Sequence, residues 1–260
     1  MTALSGERAF EPPTVGTMRV ASRIVNSGRI VSRLVWDQGS ARSKREASVR
    51  LGRSTVRLSR ACAELCRAHG IVVEVRGEPP RGAAALVSNH VGYVDPIAIL
   101  ARVPAAPIAK REVSEWPLLG SAMDRSGVLW VDRACPLSGA HVLRRSLRAF
   151  ASDVPVLVFP EGTTTLGDDA LPFRRGLFGA AALARVPVVP VSLRYCSREL
   201  SWVGDEEFVP HYLRTARRPV TTVTVRFHAP LHPSAGEPPE ALAERARAEV
   251  RAALREPGER

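Results

Sequence analysis

Short apolar runs alternate with longer segments of mixed polarity from residue 71 onward, and this alternation constrains the fold more than any other feature. Each run is too short for a helix and is bounded by turn residues, which is typical of buried strands. The predicted strands cover residues 71–75, 84–87, 107–109, 128–131, 156–159, 188–194 and 221–227. Helices are predicted over residues 96–102, 115–124, 138–151, 175–185, 205–217 and 239–255. This pattern predicts an α/β fold with a mixed, mostly parallel sheet covered by helices on both faces.

The length and composition predict a single domain with an N-terminal attachment. A chain of 260 residues with 45% apolar residues can bury one sizeable core, and no linker divides it. We assign residues 71–260 to an α/β domain and residues 1–70 to a basic amphipathic helical segment. No apolar run approaches the length of about 18 residues that suits a spanning helix, and no signal peptide is indicated. We therefore expect the protein to stay in the cytoplasm.

The cysteines predict neither a disulfide framework nor a metal site. The chain has four, Cys62, Cys66, Cys135 and Cys196, with no Cys-x-x-Cys pair. We expect them to be small buried hydrophobic side chains in a reducing compartment.

Positive charge is concentrated near the N-terminus. The net charge is +11, and residues 1–60 hold twelve Arg or Lys against four acidic residues. An anionic partner is therefore expected. Within this region, residues 18–36 form a predicted helix whose apolar side chains gather on one side of the helical wheel, with arginines mostly on the other. The apolar set is Val20, Ala21, Ile24, Val31, Leu34 and Val35, and the arginines are Arg19, Arg23, Arg29 and Arg33.

Such a helix suits the interface of an anionic membrane, where arginines meet phosphates. The alternative is a helix that packs on its own domain and solvates its charged face. A second amphipathic segment, residues 54–69, turns its apolar side chains toward the core, and Gly70 ends it.

A histidine and an aspartate follow the second predicted strand. His90 comes directly after the strand, and Asp95 lies five residues later and precedes Pro96. Asp95 and Pro96 are typical of an N-cap and the first residue of a helix. The turn between them brings the carboxylate toward the imidazole, which predicts a general-base pair. The alternative is a satisfied histidine at a strand end and an aspartate that only caps.

Four motifs follow one another along the chain. Asn89-His90 with Asp95 is the first, Gly127 with Asp132-Arg133 the second, the run from Phe159 to Thr163 the third, and residues 186–191 the fourth. Their order and spacing resemble the motif blocks of the glycerolipid acyltransferase family, whose best-known members are 1-acylglycerol-3-phosphate acyltransferases. The resemblance covers about residues 73–191.

The resemblance implies transfer of a fatty acyl group from a thioester, acyl-CoA or acyl carrier protein, to the free hydroxyl of a lysolipid. No cofactor and no metal are implied. Together with the basic helix, it predicts a peripheral enzyme on the cytoplasmic face of the cell membrane, with the anionic membrane surface as a partner.

Acyl transfer needs a base and a site for the oxyanion of the tetrahedral intermediate. His90 with Asp95 supplies the base. The backbone amides of the turn Gly162-Thr163-Thr164 are the candidate oxyanion donors. Because the sequence has neither a Gly-x-Ser-x-Gly elbow nor the context of a nucleophilic cysteine, we expect direct attack by the acceptor hydroxyl.

Cationic side chains are candidates for holding an acidic acceptor. Arg133 follows a predicted strand, where a guanidinium can bind phosphate through two hydrogen bonds. Lys110 lies at another strand end, and Arg174 and Arg175 follow the third motif. Glu161, to which the family assigns substrate binding, is expected to orient Arg133 or bind an acceptor hydroxyl. The alternative is a buried Glu161 that pairs with Arg133 for structure alone.

Thr164 departs from the commonest family pattern, because many phosphatidate-forming relatives have an arginine there. The first acceptor expected is therefore 1-acylglycerol-3-phosphate, with another lysolipid such as lyso-ornithine lipid as the alternative.

Two rival functions are weaker. A basic nucleic-acid-binding protein is disfavoured because the charge lies on an amphipathic helix and His90 has no role there, so no nucleic acid is expected as a partner. A catalytically silent lipid-binding relative is disfavoured because His90 and Asp95 are both present.

Overall fold

The structure, a computed structural model, describes residues 13–35, 43–115, 119–132, 134–135 and 137–256. The described residues form one sheet of seven strands: β1 Ile71–Arg76, β2 Ala85–Ser88, β3 Ala106–Lys110, β4 Leu129–Val131, β5 Val156–Val158, β6 Val188–Tyr195 and β7 Thr221–Phe227. Each predicted strand is confirmed, with ends that differ by no more than one residue.

The helices of the described residues are α1 Pro13–Val35, α2 Lys44–His69, α3 Val94–Leu100, α4 Leu119–Arg125, α5 Ser138–Phe150, α6 Gly176–Ala184, α7 Phe208–Thr215 and α8 Pro239–Arg255. Two 3₁₀ turns, Arg111–Glu115 and Arg198–Leu200, connect some of them. Of the predicted helix over residues 115–124, residue 115 lies in the first 3₁₀ turn and residues 119–124 lie in α4, while residues 116–118 are outside the described part of the chain.

The strand order is β1-β7-β6-β2-β5-β3-β4. Neighbours pair in parallel except β6 and β7, which are antiparallel. The predicted fold class, a mixed and mostly parallel sheet, is confirmed. Because β2, β3, β4, β5 and β6 run in one direction, their carboxyl ends meet at one edge of the sheet.

Two apolar layers cover the sheet because successive side chains of a strand point to opposite faces. On one face Leu86 and Leu157 pack with Ile99 of α3 and with Cys62 and Cys66 of α2. On the other face Val87 and Val156 pack against α5, α6 and α8. The helices therefore lie on both faces, as predicted.

Helix α2 begins earlier than residue 54, the predicted start. Ser43 and Glu46 form a capping box at its N-terminus, and Gly70 with φ 65° ends it. Since Leu58 of α2 belongs to the core, this helix is part of the packed fold. The proposed division of the chain at residue 70 stays a prediction.

Helix α1 packs on the domain with side chains from both predicted faces. Val20 and Ile30 are buried. Arg23, predicted on the charged face, is also buried, and its guanidinium donates to the carbonyl oxygens of residues 216, 218 and 219 at 2.6, 2.8 and 3.2 Å. Ile24 of the predicted apolar face is 50% exposed, so the membrane role of that face stays a prediction. The prediction was wrong for Arg23, because its guanidinium caps carbonyls that follow α7, and the helix has two apolar faces, one packed and one exposed.

The second face of α1 is an exposed apolar strip, made of Met18, Ile24 and Val25. None of the helices in the described part of the chain combines the length and the hydropathy that a membrane-spanning segment requires.

The cysteines are all free, but only two are buried. Burial raises the pKa of the Cys66 thiol to about 11. Cys135 and Cys196 are exposed, so the expectation of four buried cysteines was wrong for these two.

Candidate active site

His90 and Asp95 lie together beyond the carboxyl end of β2. The Nδ1 atom of His90 is 2.6 Å from Oδ2 of Asp95. The Asp95 side chain is fully buried, whereas the His90 side chain is 23% exposed. Because Nδ1 is engaged by the carboxylate, Nε2 is the ring nitrogen left for proton transfer. The ring of Phe159 stacks on the imidazole at a centroid distance of 4.3 Å.

The Asp95 carboxylate closes the turn that contains His90. The backbone N–H groups of Val91 and Gly92 donate to Oδ2 at 2.5 and 2.9 Å, and the hydroxyl of Tyr195 donates to Oδ1 at 2.5 Å. The prediction that Asp95 is an N-cap was wrong, since α3 begins at Val94 and Asp95 lies in its first turn. The carboxylate instead binds the amides of the preceding turn.

Asn89 anchors the start of this turn. Its side-chain amide donates to the carbonyl oxygen of Leu193 at 3.0 Å and accepts from the N–H of the same residue at 2.8 Å. It therefore continues the pairing of β2 with β6 by one residue. The position of Asn89 beside His90 was a signal for this role, and Phe159 begins the third motif, whereas no local pattern marks Tyr195.

Glu161 braces the same loop from the turn after β5. Its carboxylate accepts from the N–H of His90 and the N–H of Leu171, both at 2.9 Å. The residue is buried, and burial raises its pKa to about 7. Arg133, its expected partner, lies outside the described residues. The structure thus places Glu161 as a support for the His90 backbone.

Glu161 should make the stability of the fold depend on pH. Its pKa is raised from 4.5 to about 7 in the folded chain, so the folded state binds this proton more tightly than the unfolded state. The free energy of unfolding should therefore fall as pH rises through that window. Glu161→Gln should remove this component, on the order of 2–3 kcal/mol. Urea unfolding of both proteins at pH 5 and pH 8 measures it, and an identical pH dependence of the two would contradict the expectation.

The turn from residue 162 to residue 165 wraps around His90. Gly162 adopts φ 76°, and its N–H donates to the carbonyl oxygen of Phe159 at 3.2 Å. The expected oxyanion amide is therefore not supplied by Gly162. In the described part of the chain, no acceptor bonds the N–H groups of Thr163 and Thr164. Thr165 donates to the carbonyl oxygen of His90 through its N–H at 2.7 Å and its hydroxyl at 3.2 Å.

The candidate cations occupy different surroundings. Lys110 is exposed at the end of β3, which is one strand beyond β5, the neighbour of β2. Arg175 pairs with Glu240 of α8 at 2.9 Å. Arg174 is exposed, and neither it nor Lys110 has a side-chain partner among the residues that the structure describes. These cations therefore lie along the edge that holds His90, without direct contact with it.

Known proteins are similar in sequence to this region. The sequence model of the family described as Acyltransferase matches residues 71–194, from β1 into β6. A lyso-ornithine lipid O-acyltransferase of Pseudomonas aeruginosa is 33% identical over 199 residues, which are 74% of this chain and 76% of that protein. The human 1-acyl-sn-glycerol-3-phosphate acyltransferase alpha is 35% identical over 149 residues, 53% of each chain.

A solved structure shares the fold. The 1-acyl-sn-glycerophosphate acyltransferase of Thermotoga maritima superposes with a TM-score of 0.62 over 94% of both chains, at 20% sequence identity. Three findings point to the same family: the fold, the order of the motifs, and a relative that aligns over three quarters of its length. On this basis, the chain belongs to the glycerolipid acyltransferase family.

Proposed function

We propose that this chain is a lysolipid O-acyltransferase that moves a fatty acyl group from an acyl thioester to the free hydroxyl of a lysolipid. The observation that carries the proposal is the buried Asp95 carboxylate on Nδ1 of His90. This arrangement leaves Nε2 as a base beside solvent, which suits deprotonation of an incoming hydroxyl. The direct test is release of free thiol from acyl-CoA or from acyl carrier protein by the purified protein. That release should depend on added lysolipid.

The reaction we infer is a direct attack. Nε2 of His90 takes the hydroxyl proton while the oxygen bonds to the thioester carbonyl, and Asp95 stabilises the resulting imidazolium. The N–H groups of Thr163 and Thr164 are the candidate donors to the oxyanion. Collapse of the intermediate forms the ester and expels the thiolate, which takes the proton from His90. Within the described residues no serine or cysteine side chain bonds His90, so no covalent acyl-enzyme is invoked.

The first acceptor candidate is 1-acylglycerol-3-phosphate. Lys110 and Arg174 are exposed cations whose charges no described side chain neutralises, and a phosphate monoester is the anion they would bind. The second candidate is lyso-ornithine lipid. Thr164, at the position where many relatives have an arginine, favours it. So do relatives of that name, which align with this chain over about three quarters of their own length.

A competition between the two acceptors decides between them. Lysophosphatidate and lyso-ornithine lipid are offered at equal concentration in mixed micelles, and both products are quantified. We expect the phosphate acceptor to be used faster, and Lys110→Gln to lower its kcat/KM by about 10-fold or more. Preference for lyso-ornithine lipid, with no effect of Lys110→Gln, would assign the second acceptor.

We also propose peripheral attachment to the cytoplasmic face of an anionic membrane through α1. The exposed apolar strip of Met18, Ile24 and Val25 is a surface that can enter the lipid interface. Arg29 lies on the same helix, where its charge can meet lipid phosphates. Both candidate donors are cytoplasmic molecules, which is the reason for choosing that face.

Polar substitution of the strip should weaken membrane binding. Met18→Gln/Val25→Gln should lower the partition coefficient onto anionic vesicles by about 10-fold or more, because apolar area no longer enters the interface. Sedimentation with vesicles measures this, and added salt should weaken binding of the wild type. Truncation is avoided because Val20 and Arg23 are buried. The matched control is Val72→Gln/Leu183→Gln, two exposed apolar side chains elsewhere; equal loss in both variants would refute the assignment to α1.

A further inference from the structure

We propose that Tyr195 is a positioning residue for acyl transfer, whose hydroxyl holds the Asp95 carboxylate in place beside His90. The inference rests on the proposed function, in which His90 is the base. Tyr195 lies outside the four motifs that mark the family, and its contact with Asp95 joins residues 100 positions apart.

The two oxygens of the Asp95 carboxylate have different partners. Oδ2 accepts from Nδ1 of His90 and from the N–H groups of Val91 and Gly92. Oδ1 accepts from the hydroxyl of Tyr195, and no other described group donates to it. Since the Asp95 side chain is fully buried, loss of that hydroxyl leaves one carboxylate oxygen without a donor in the interior.

Tyr195 is held where this bond requires it. It is the last residue of β6, the parallel neighbour of β2. The side chain of Asn89 binds the backbone of Leu193, two residues earlier on β6. Burial and the nearby Asp95 raise the pKa of Tyr195 well above its ordinary range, so the phenol keeps its proton and stays a donor.

Three further titratable groups lie near the contact between Tyr195 and Asp95. Glu161 comes from the turn after β5, Tyr93 precedes α3, and Cys66 comes from α2. The Cys66 pKa is raised by burial to about 11, and that of Tyr93 is also raised, so both stay neutral around pH 7. Glu161 is the neighbour whose titration falls in the range of the assay.

The direction of the expected effect follows from the charge. The Tyr195 hydroxyl donates to the Asp95 carboxylate and so offsets part of its negative charge. Without this donor the pair holds its proton more tightly, whichever member carries it. The acid limb of the pH profile of kcat/KM should therefore move to higher pH.

The test is Tyr195→Phe, which keeps the ring and removes the donor. We expect its acid limb to move up by about one pH unit, and kcat near neutrality to fall about 10-fold with partial recovery at higher pH. The matched control is Tyr93→Phe, because the Tyr93 hydroxyl binds His211 and Thr215 and makes no contact with Asp95. The control should leave the acid limb in place. Equal shifts in the two variants, or no shift in Tyr195→Phe, would overturn the proposal.

Titration of Glu161 is separated by repeating the comparison in a Glu161→Gln background. The shift of the acid limb caused by Tyr195→Phe should persist in that background. If it vanishes, the shift belongs to Glu161 and the proposal fails.

A second measurement avoids any loss of packing. The chain has three tyrosines, Tyr93, Tyr195 and Tyr212. In a Tyr93→Phe/Tyr212→Phe variant grown with 3,5-difluorotyrosine, only residue 195 carries the more acidic phenol, which is a stronger donor. The acid limb should then move to lower pH relative to the same variant with ordinary tyrosine. An unmoved limb overturns the proposal even if Tyr195→Phe does not fold.

Failure of this inference is distinct from failure of the proposed function. If His90→Ala transfers acyl groups at the normal rate, His90 is not the base, and the proposed mechanism fails together with this inference. If His90→Ala is inactive but the acid limb does not move in either Tyr195 experiment, only the role of Tyr195 is refuted.

Discussion

Replacing His90 with alanine should lower kcat/KM for acyl transfer by about 10²- to 10⁴-fold, the usual contribution of a general base. Among the described residues the His90 side chain makes one hydrogen bond, to Asp95, and it is partly exposed, so the fold should survive its removal. Thiol release from the acyl thioester in the presence of lysolipid measures the rate. Thermal unfolding of the same preparation shows that the variant is folded.

The control for this substitution is His141→Ala, since His141 is an exposed histidine on α5. It should retain the turnover of the wild type. If folded His90→Ala keeps more than about a tenth of wild-type turnover, a general base worth the usual 10²-fold or more is not present at this position.

Asp95→Asn should be nearly as damaging, although it preserves the shape of the side chain. The amide oxygen can take the place of Oδ2 and accept from Val91, Gly92 and His90, while the amide N–H₂ faces the Tyr195 hydroxyl. What disappears is the negative charge that stabilises the imidazolium. We therefore expect kcat/KM to fall by about 10²- to 10⁴-fold with little change in the fold.

The pH profile gives this substitution a second signature. Without the carboxylate, the protonated imidazole of His90 loses its counter-charge. The acid limb of the residual activity should therefore move to lower pH, opposite to the shift expected for Tyr195→Phe. The exposed Asp205→Asn is the matched control. A fully active Asp95→Asn would show that the carboxylate only shapes the turn.

Local patterns predicted the elements of the fold well. The seven strands are short apolar runs between turn residues, and such a pattern depends on neighbours in sequence. The pairing of His90 with Asp95 was predictable for the same reason, since the two residues are five positions apart and one turn joins them. The prediction that Asp95 caps a helix was wrong because the sequence does not show which hydrogen-bond donors surround a carboxylate.

Amphipathicity alone was a poor guide to α1. The helical wheel placed Arg23 on the charged face, away from the apolar side chains, but the structure buries it. Of the predicted apolar face, Val20 is buried and Ile24 is exposed. The hydrophobic pattern of a helix with two apolar faces does not show which face meets the domain. The choice follows from the carbonyl oxygens that Arg23 binds, which belong to residues almost 200 positions away.

Sequence patterns were enough to predict the α/β elements, the family motifs and the pairing of His90 with Asp95, because each depends on residues close together in the chain. The distant groups that support this pair depend on the tertiary arrangement of the strands. Glu161 reaches the backbone of His90 because β5 lies beside β2, and Tyr195 reaches Asp95 because β6 lies on its other side. Strand order results from the packing of the whole chain, so no local pattern reports it.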